Sequence, residues 1–434
     1  MLKFMDGRLR WVLILWMFLM SAIAYLDRVN ISIAGQAIQQ EYKLSNMHLG
    51  WVFSAFVIGY ALFQAPGGRL ADRFGPRWVI TIGVIWWGVF TTLTALVPVG
   101  ISLAVALLVA VRFLLGIGEA VVYPSSNRLV AHWIPSGERG IANGLIFAGV
   151  GAGAGITPPL ITYILLNWGW RWSFYISALL GLVAGAVWYL LARDTPQKHP
   201  WISKRELATI ESGLPAPVKD LEAQKALPWS RILGNKNILA VTLSYFAYGY
   251  VAWIFFTWFF IYLSRVRGLD LKASAVYSML PFIGMATCSP LGGWIADILT
   301  RRYGKRVGRC GFAMFGIGLA AVFIALATQV ESARLASIAL AGGVGALYLA
   351  QSAFWAVTAD LAGSSAGSAS GLMNMGGQIG GATTAFLTPL IADHFGWTAS
   401  FLVAAGVCAL GSVAWLLVNP YAQITQKPAQ AGRH

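Results

Sequence analysis

The 434-residue chain is 58% hydrophobic and only 11% charged, with a mean hydropathy of +0.67. That composition excludes an ordinary soluble domain and predicts an all-α membrane protein. The net charge of +15 invites nucleic acid as a partner, but the placement of the charges along the chain rejects it. The three cysteines (Cys288, Cys310, Cys408) and the five scattered histidines have no metal-ligand spacing, so neither a disulfide framework nor a metal site is expected.

A bilayer-spanning helix needs ~20 mostly apolar residues. Stretches of that length centre near residues 22, 58, 88, 112, 152, 182, 252, 286, 319, 346, 380 and 408, predicting twelve transmembrane helices. In the first, Lys3, Arg8 and Arg10 precede an apolar run, and Ala22-Ile23-Ala24 imitates a signal-peptidase site. The run resumes after Arg28 and continues to Ile38, so the segment is expected to stay as a span. It carries Asp27 and Arg28, and the fourth carries Arg112 and Glu119. Each ion in the bilayer core costs at least ~2.5–3.5 kcal/mol, so four in one half point to a path for a charged solute.

The fifth span is rich in glycine from Gly149 to Gly155, which permits close helix approach. After the sixth comes the one long polar stretch, about residues 193–236, with Pro196, Pro200, Pro215, Pro217 and Pro228. Within it Ser203-Lys204-Arg205-Glu206 has the form of a capping box opening a short surface helix. The predicted organisation is residues 1–195, a six-helix half; 196–236, a linker with that helix; and 237–434, a second six-helix half.

The halves repeat each other. Gly67-Gly68-Arg69-Leu70-Ala71-Asp72 closes the second span, and Gly292-Gly293-Trp294-Ile295-Ala296-Asp297 closes the eighth. Gly144-Leu145 corresponds to Gly371-Leu372. Gly169-Trp170 with Ser173-Phe174 corresponds to Gly396-Trp397 with Ser400-Phe401. Three matches near one offset predict a parallel repeat with pseudo-symmetric halves, which places a substrate site between them near the midplane.

With twelve spans and both termini on one side, 23 of the 31 basic residues lie on that side. Only Lys43, Arg171, Arg265, Arg267, Lys272 and Arg334 fall in the opposite loops, and Arg28 and Arg112 fall within spans. The positive-inside rule then puts both termini in the cytoplasm. The basic residues are topology signals and leave no reason to expect nucleic acid.

Seven residues separate Arg112 from Glu119, so they share a helix face about ~10 Å apart by rise alone. Asp27 and Arg28 point about 100° apart, so one can face a pocket while the other faces a packed helix. Arg28 is suited to grip a carboxylate, because its planar guanidinium is permanently charged and binds bidentately. Asp27 and Glu119 are the candidate proton carriers. The competing reading for Asp27 and Arg112 is an ion pair locking the first and fourth helices. Asp72, Arg73 and Arg77 read as loop geometry and a conformational latch. For the pocket, Tyr60 and Gln64 lie one turn apart, as do Asn374 and Gln378, while Ser352 and Trp355 share a face of the tenth helix. No nucleophile, metal cluster or acid pair beside a base is visible, so an enzyme is not expected.

The run from Gly68 through Asp72-Arg73-Phe74-Gly75-Pro76-Arg77 resembles the loop signature of the major facilitator superfamily. Tyr25-Leu26-Asp27-Arg28-Val29-Asn30, Arg112 through Gly118-Glu119-Ala120, and Thr257-Trp258-Phe259 resemble motifs of its anion:cation symporter family, which is related to sialin and the vesicular glutamate transporters. The resemblance implies a monomeric, proton-coupled importer of a small organic anion in the bacterial inner membrane, with protons as coupling ion and no cofactor. It assigns substrate binding to Arg28 and proton coupling to Glu119. Comparison with sugar-acid members implies a pocket of Tyr25, Arg28, Tyr60, Ser352, Trp355 and Asn374. The apolar Phe147–Gly155 stretch and Phe354 depart from those members and keep an aromatic acid in play. A hydroxy-dicarboxylate is a further alternative, and export is disfavoured because the fifth span lacks a Gly-Pro motif.

Overall fold

In the computed structural model, residues 7–214, 226–259, 262–269 and 271–424 are described, and they form helices with no strand among them. The first half comprises α1 (Leu9–Tyr42), α2 (Asn46–Phe74), α3 (Pro76–Leu96), α4 (Ala104–Trp133), α5 (Arg139–Trp168) and α6 (Trp170–Leu191). The second comprises α7 (Lys236–Thr257), α8 (Leu271–Lys305), α9 (Phe312–Ala327) and α10 (Ala333–Ala362), then the long run Ala366–Ala414. That run breaks at Gly396, with α11 before it and α12 after it. Among the described residues these are twelve long helices in two sets of six, the number that composition predicts. Their outer faces present Leu15, Ile82, Leu166, Phe315 and Leu410 to the surroundings, which suits lipid rather than water.

Equivalent breaks recur in the two halves. Gly169 between α5 and α6 has φ 85° and ψ 164°, and Gly396 between α11 and α12 has φ 84° and ψ 161°. A side chain disfavours this backbone region, so glycine lets one helix follow another with almost no loop. The sequence repeat is therefore a repeat of backbone geometry.

The two halves are hydrogen-bonded to each other at the end that carries the α2–α3, α4–α5, α6–α7 and α8–α9 connections, the basic end. The carboxylate of Asp72 at the end of α2 accepts from Gly367 N at 3.0 Å and Ser368 N at 2.7 Å, the first turn of α11. Ser368 Oγ adds a bond at 2.5 Å. In the other half, Asp297 of α8 accepts from Gly140 N at 2.9 Å and Ile141 N at 2.7 Å, the first turn of α5. A helix N-terminus leaves amide donors unpaired and carries partial positive charge, so each buried carboxylate is matched. The contact requires glycine. A Cβ on Gly68 would run into the Gly367 carbonyl, and one on Gly293 into the Gly140 carbonyl.

Ion pairs reinforce this end. Arg309 bonds Asp297 at 2.7 Å and the Ser136 carbonyl at 2.7 Å. Asp360 of α10 receives Arg139 of α5 at 2.5 Å and Lys305 at 3.2 Å. Arg77 joins α3 to α6, donating to the Tyr189 carbonyl at 3.0 Å and stacking on that ring at 4.2 Å, whereas Arg73 is exposed over Phe74.

The expected surface helix forms at Lys204–Gly213, with the Ser203 hydroxyl accepting from Glu206 N at 3.2 Å. The Glu206 carboxylate goes elsewhere than a capping box would send it. It reaches the start of α1, accepting from Leu9 N and Arg10 N at 3.0 Å each. Further along, Leu227 donates its N–H to Ser365 Oγ at 2.8 Å, and its carbonyl accepts from Arg69. Pro215 and Pro217, which belong to the same predicted linker, lie outside the described residues.

The glycine contacts at the basic end can be tested directly. Gly68→Val and Gly293→Val should each weaken the joint by about 1–3 kcal/mol through overpacking. The readout is a lower melting temperature, together with faster alkylation of a cysteine placed at Ser368. Gly155→Val, where nothing lies within 4 Å, should leave both readings unchanged.

Candidate functional site

The site starts from a close crossing of α2 and α4. A Cβ on Gly59 would meet the Phe113 carbonyl, and one on Gly116 the Phe56 carbonyl. Two glycines thus let these backbones approach, bringing Phe56 and Tyr60 of α2 beside Glu119 of α4. On the other side α1 is held against α5 by Gly149 and Gly153, which abut Phe18 and Ala22. Gly144 and Gly151 of α5 face α8 at Ser289 and Ala286. The glycine-rich stretch is the means by which α5 packs on helices of both halves.

Arg28 of α1 and Glu119 of α4 meet in this frame, with Arg28 Nη2 2.5 Å from Glu119 Oε1. The Glu119 side chain is fully buried and that of Arg28 is 11% exposed. The guanidinium lies 4.2 Å from the Tyr60 ring centre, 4.6 Å from Tyr25 and 5.2 Å from Phe56. It also donates to the Tyr25 hydroxyl at 3.3 Å. Three aromatic faces and one carboxylate replace the water that the cation has lost. Arg28 Nε and Glu119 Oε2 keep no hydrogen-bond partner, so each group has capacity to spare.

Asp27 points the other way. Its Oδ2 accepts from Trp87 Nε1 at 2.8 Å and from Thr91 Oγ1 at 2.9 Å, both on α3, and its Oδ1 has no partner. Among the described residues it forms no ion pair within 4.0 Å with Arg112. Arg112 is itself buried against the Phe56 ring at 4.8 Å, with Nε and Nη1 unpartnered. The neighbouring acid and base of α1 thus divide as their angular separation predicts, Arg28 toward the aromatic cluster and Asp27 toward α3.

Between the halves lies a cavity of about 490 Å³, open space included. Tyr25, Tyr60, Tyr123, Phe147 and Val150 line it from the first half. Tyr245, Tyr248, Tyr348, Gln351, Asn374 and Gln378 line it from the second, with further rings from Trp253 and Phe256. None of its lining residues is Lys, Arg, His, Asp or Glu. The Arg28 guanidinium packs on two of its lining rings, Tyr25 and Tyr60.

Of the residues expected in the pocket, Tyr25, Tyr60 and Asn374 are on its wall. Gln64 sits behind, accepting from Asn374 Nδ2 at 2.8 Å and so tying α2 to α11. Trp355 is fully buried, its Nε1 3.4 Å from the Tyr245 hydroxyl and its ring 4.9 Å from Phe147. Ser352 is fully buried with its hydroxyl unpartnered, and Phe354 packs against Tyr245 and Trp415. Tyr123, Tyr245, Tyr348 and Gln351 were missed. Tyr348, Gln351 and Trp355 are three and four residues apart, a one-face spacing that could have found them. Among the described residues no three of His, Cys, Asp and Glu gather in a metal-binding group.

Two six-helix halves around a central cavity are the architecture of a membrane transporter, and the chain belongs to the Major Facilitator Superfamily, matched over residues 17–385 and again over 282–434. It is 34% identical over 418 residues to the probable sulfoacetate transporter SauU of Cupriavidus necator, covering 96% of this chain and 95% of that one. It is 31% identical to the hexuronate transporter of Bacillus subtilis, covering 96% of both. In fold it is similar to the proton:xylose symporter XylE, with a TM-score of 0.73 at 15% identity over 94% of this chain and 95% of that one. The family and these relatives are transporters and not enzymes.

Proposed function

We propose that the chain is a proton-coupled symporter importing an organic carboxylate, and that the carboxylate is a sugar acid, an aldonate or uronate. It works as a monomer by alternating access in a bacterial inner membrane, with both termini and the basic end in the cytoplasm. Residues 1–195 and 237–434 move as the two halves, and residues 196–236 join them.

The observation that carries this reading is the 2.5 Å pair between Arg28 and Glu119 beside a cavity whose lining includes no charged side chain. A buried guanidinium stripped of its anion is strongly unfavourable, by about 3–5 kcal/mol in the usual case. A substrate carboxylate can displace the Glu119 carboxylate only if Glu119 does not remain a bare anion in the same space. Protonation of Glu119 meets that condition. Substrate and proton then enter as a unit, and the charge around Arg28 is the same before and after. If Asp27 takes up a second proton against Trp87 and Thr91, one net positive charge moves inward with each cycle. The membrane potential then contributes about 2.3 kcal/mol per 100 mV.

Arg28 binds the substrate carboxylate, with Tyr25, Tyr60 and Asn374 as direct contacts. Gln64 and Trp355 act one layer back, through Asn374 and Tyr245, and Ser352 offers an unused hydroxyl beside them. The Asp72 and Asp297 caps close the cytoplasmic side and release when the halves rock. Two relatives are named for organic acids, sulfoacetate and hexuronate, in keeping with an anionic cargo. A second reading, an aromatic acid, is favoured by the many rings on the wall, among them Tyr123, Phe147, Tyr248 and Phe256.

Arg28→Lys should weaken substrate binding by about ten- to a hundredfold, because an ammonium cannot reproduce a two-donor clamp. Calorimetric affinity near that of the unaltered protein would remove Arg28 from the site. Glu119→Gln, which keeps shape but carries no exchangeable charge, should abolish proton-driven accumulation in proteoliposomes while preserving exchange of internal for external substrate. Accumulation at the normal rate would move the coupling role to Asp27 or beyond. A competition panel of gluconate, galactonate, glucuronate, tartrate, phthalate and sulfoacetate at pH 5.5 and 7.5 identifies the cargo. Gluconate, galactonate or glucuronate should compete best, and more strongly at pH 5.5. Competition by phthalate alone would replace the sugar-acid reading with the aromatic one.

A further inference from the structure

Charge is distributed unequally across the cavity. The first-half wall is backed by Arg28 and Glu119, whereas the second-half wall is built from tyrosines and carboxamides. Within that wall one small cluster is incompletely bonded. Gln351 is 2% exposed and Tyr245 is 5% exposed, and both line the cavity. The Tyr245 oxygen receives Gln351 Nε2 at 3.0 Å and Trp355 Nε1 at 3.4 Å. A phenol has two acceptor lone pairs and one proton. Both lone pairs are occupied by these donors, so the Tyr245 proton remains to be given. Gln351 Oε1 is buried without a partner, and so is the carbonyl oxygen of Gln378 on α11.

A free O–H donor thus stands next to a free carbonyl acceptor, on a wall with no cation. The neutral group that satisfies both is an alcohol, which accepts from Tyr245 while donating to Gln351. A second carboxylate or a sulfonate could take the Tyr245 proton. It would then face the carbonyl oxygens of Gln351 and Gln378 with no charge to balance its own. An apolar chain would leave both polar groups buried and unpaired, the condition under which sites discriminate most strongly.

We infer that Tyr245 and Gln351 form a hydroxyl-recognition subsite opposite Arg28, held in register by Trp355, which selects hydroxylated monocarboxylates and disfavours dianions. The inference rests on the carboxylate-binding role of Arg28 proposed above and adds the requirement on the far end of the same substrate. Trp355 acts as a positioning residue, holding the Tyr245 oxygen so that its proton faces the cavity.

The test is isothermal titration of the full-length protein in detergent at pH 5.5 with three six-carbon acids. Gluconate carries hydroxyls and one carboxylate, glucarate carries a second carboxylate at the far end, and hexanoate carries neither. Gluconate should bind the unaltered protein at least about tenfold more tightly than either of the others. Gln351→Met and Tyr245→Phe preserve size, and each should reduce the gluconate-to-hexanoate preference to within about twofold while hexanoate affinity holds. Retained hexanoate affinity shows that the variants are folded. Unchanged preference in both variants, or glucarate binding as tightly as gluconate to the unaltered protein, overturns the subsite and leaves the role of Arg28 standing. Absence of binding by all three acids overturns both.

Discussion

A guanidinium enclosed by protein within a membrane needs an anion beside it at every stage of its working cycle. In this chain that requirement falls on Arg28, which three aromatic rings cradle and one carboxylate neutralises. The lining of the cavity next to it includes no charged side chain. In the mechanism proposed above, coupling is the substitution of one anion for another, with a proton as the means by which the resident anion withdraws. The opposite wall, lined by Tyr245, Tyr248, Tyr348, Gln351, Asn374 and Gln378, has hydrogen-bonding groups and no charge.

The basic end solves a different problem with related chemistry. Asp72 and Asp297 are buried carboxylates whose charge is met by helix N-termini from the other half. These bonds rely on backbone groups, and they break as units when two helix ends separate. Side-chain pairs such as Arg309 with Asp297 remain within one half and keep the carboxylate neutralised after such a separation. The joint is therefore able to open without exposing an unpaired anion. Leu227 of the linker adds bonds to Arg69 and to Ser365, one in each half, which ties the connecting segment to the same joint.

Much of this was legible in the chain. Span lengths, the repeat of Gly67–Asp72 at Gly292–Asp297 and the intramembrane ions fixed the architecture and singled out Arg28 and Glu119. Their contact was not legible. Spacing along α4 relates Glu119 to Arg112, while the real partner comes from α1, 91 residues away. Asp27 and Arg112 make no ion pair within 4.0 Å among the described residues, and Asp27 turns to Trp87 and Thr91 instead. Periodicity orders residues around one helix axis, but it does not say how that axis is rotated against its neighbours. Gln64, Ser352 and Trp355 lie just behind the wall, and Gln351 and Tyr245 lie on it. Glu206 shows the local version of this limit: its position matched a capping box, and tertiary contact gave its carboxylate to α1 instead.

The two aspartate caps are reciprocal, α2 reaching α11 in one direction and α8 reaching α5 in the other. Reciprocal use of one patch by two bodies is the mark of an isologous, two-fold interface, the kind that joins identical subunits into a closed dimer. A single six-helix unit bearing such a glycine-aspartate edge would have been able to pair with its own copy through these bonds. Linking the copies in one chain removes the need for them to stay alike. One copy could then concentrate ions in its interior while the other shed them for phenols and amides, and a symmetric pore could become a site with two distinguishable ends.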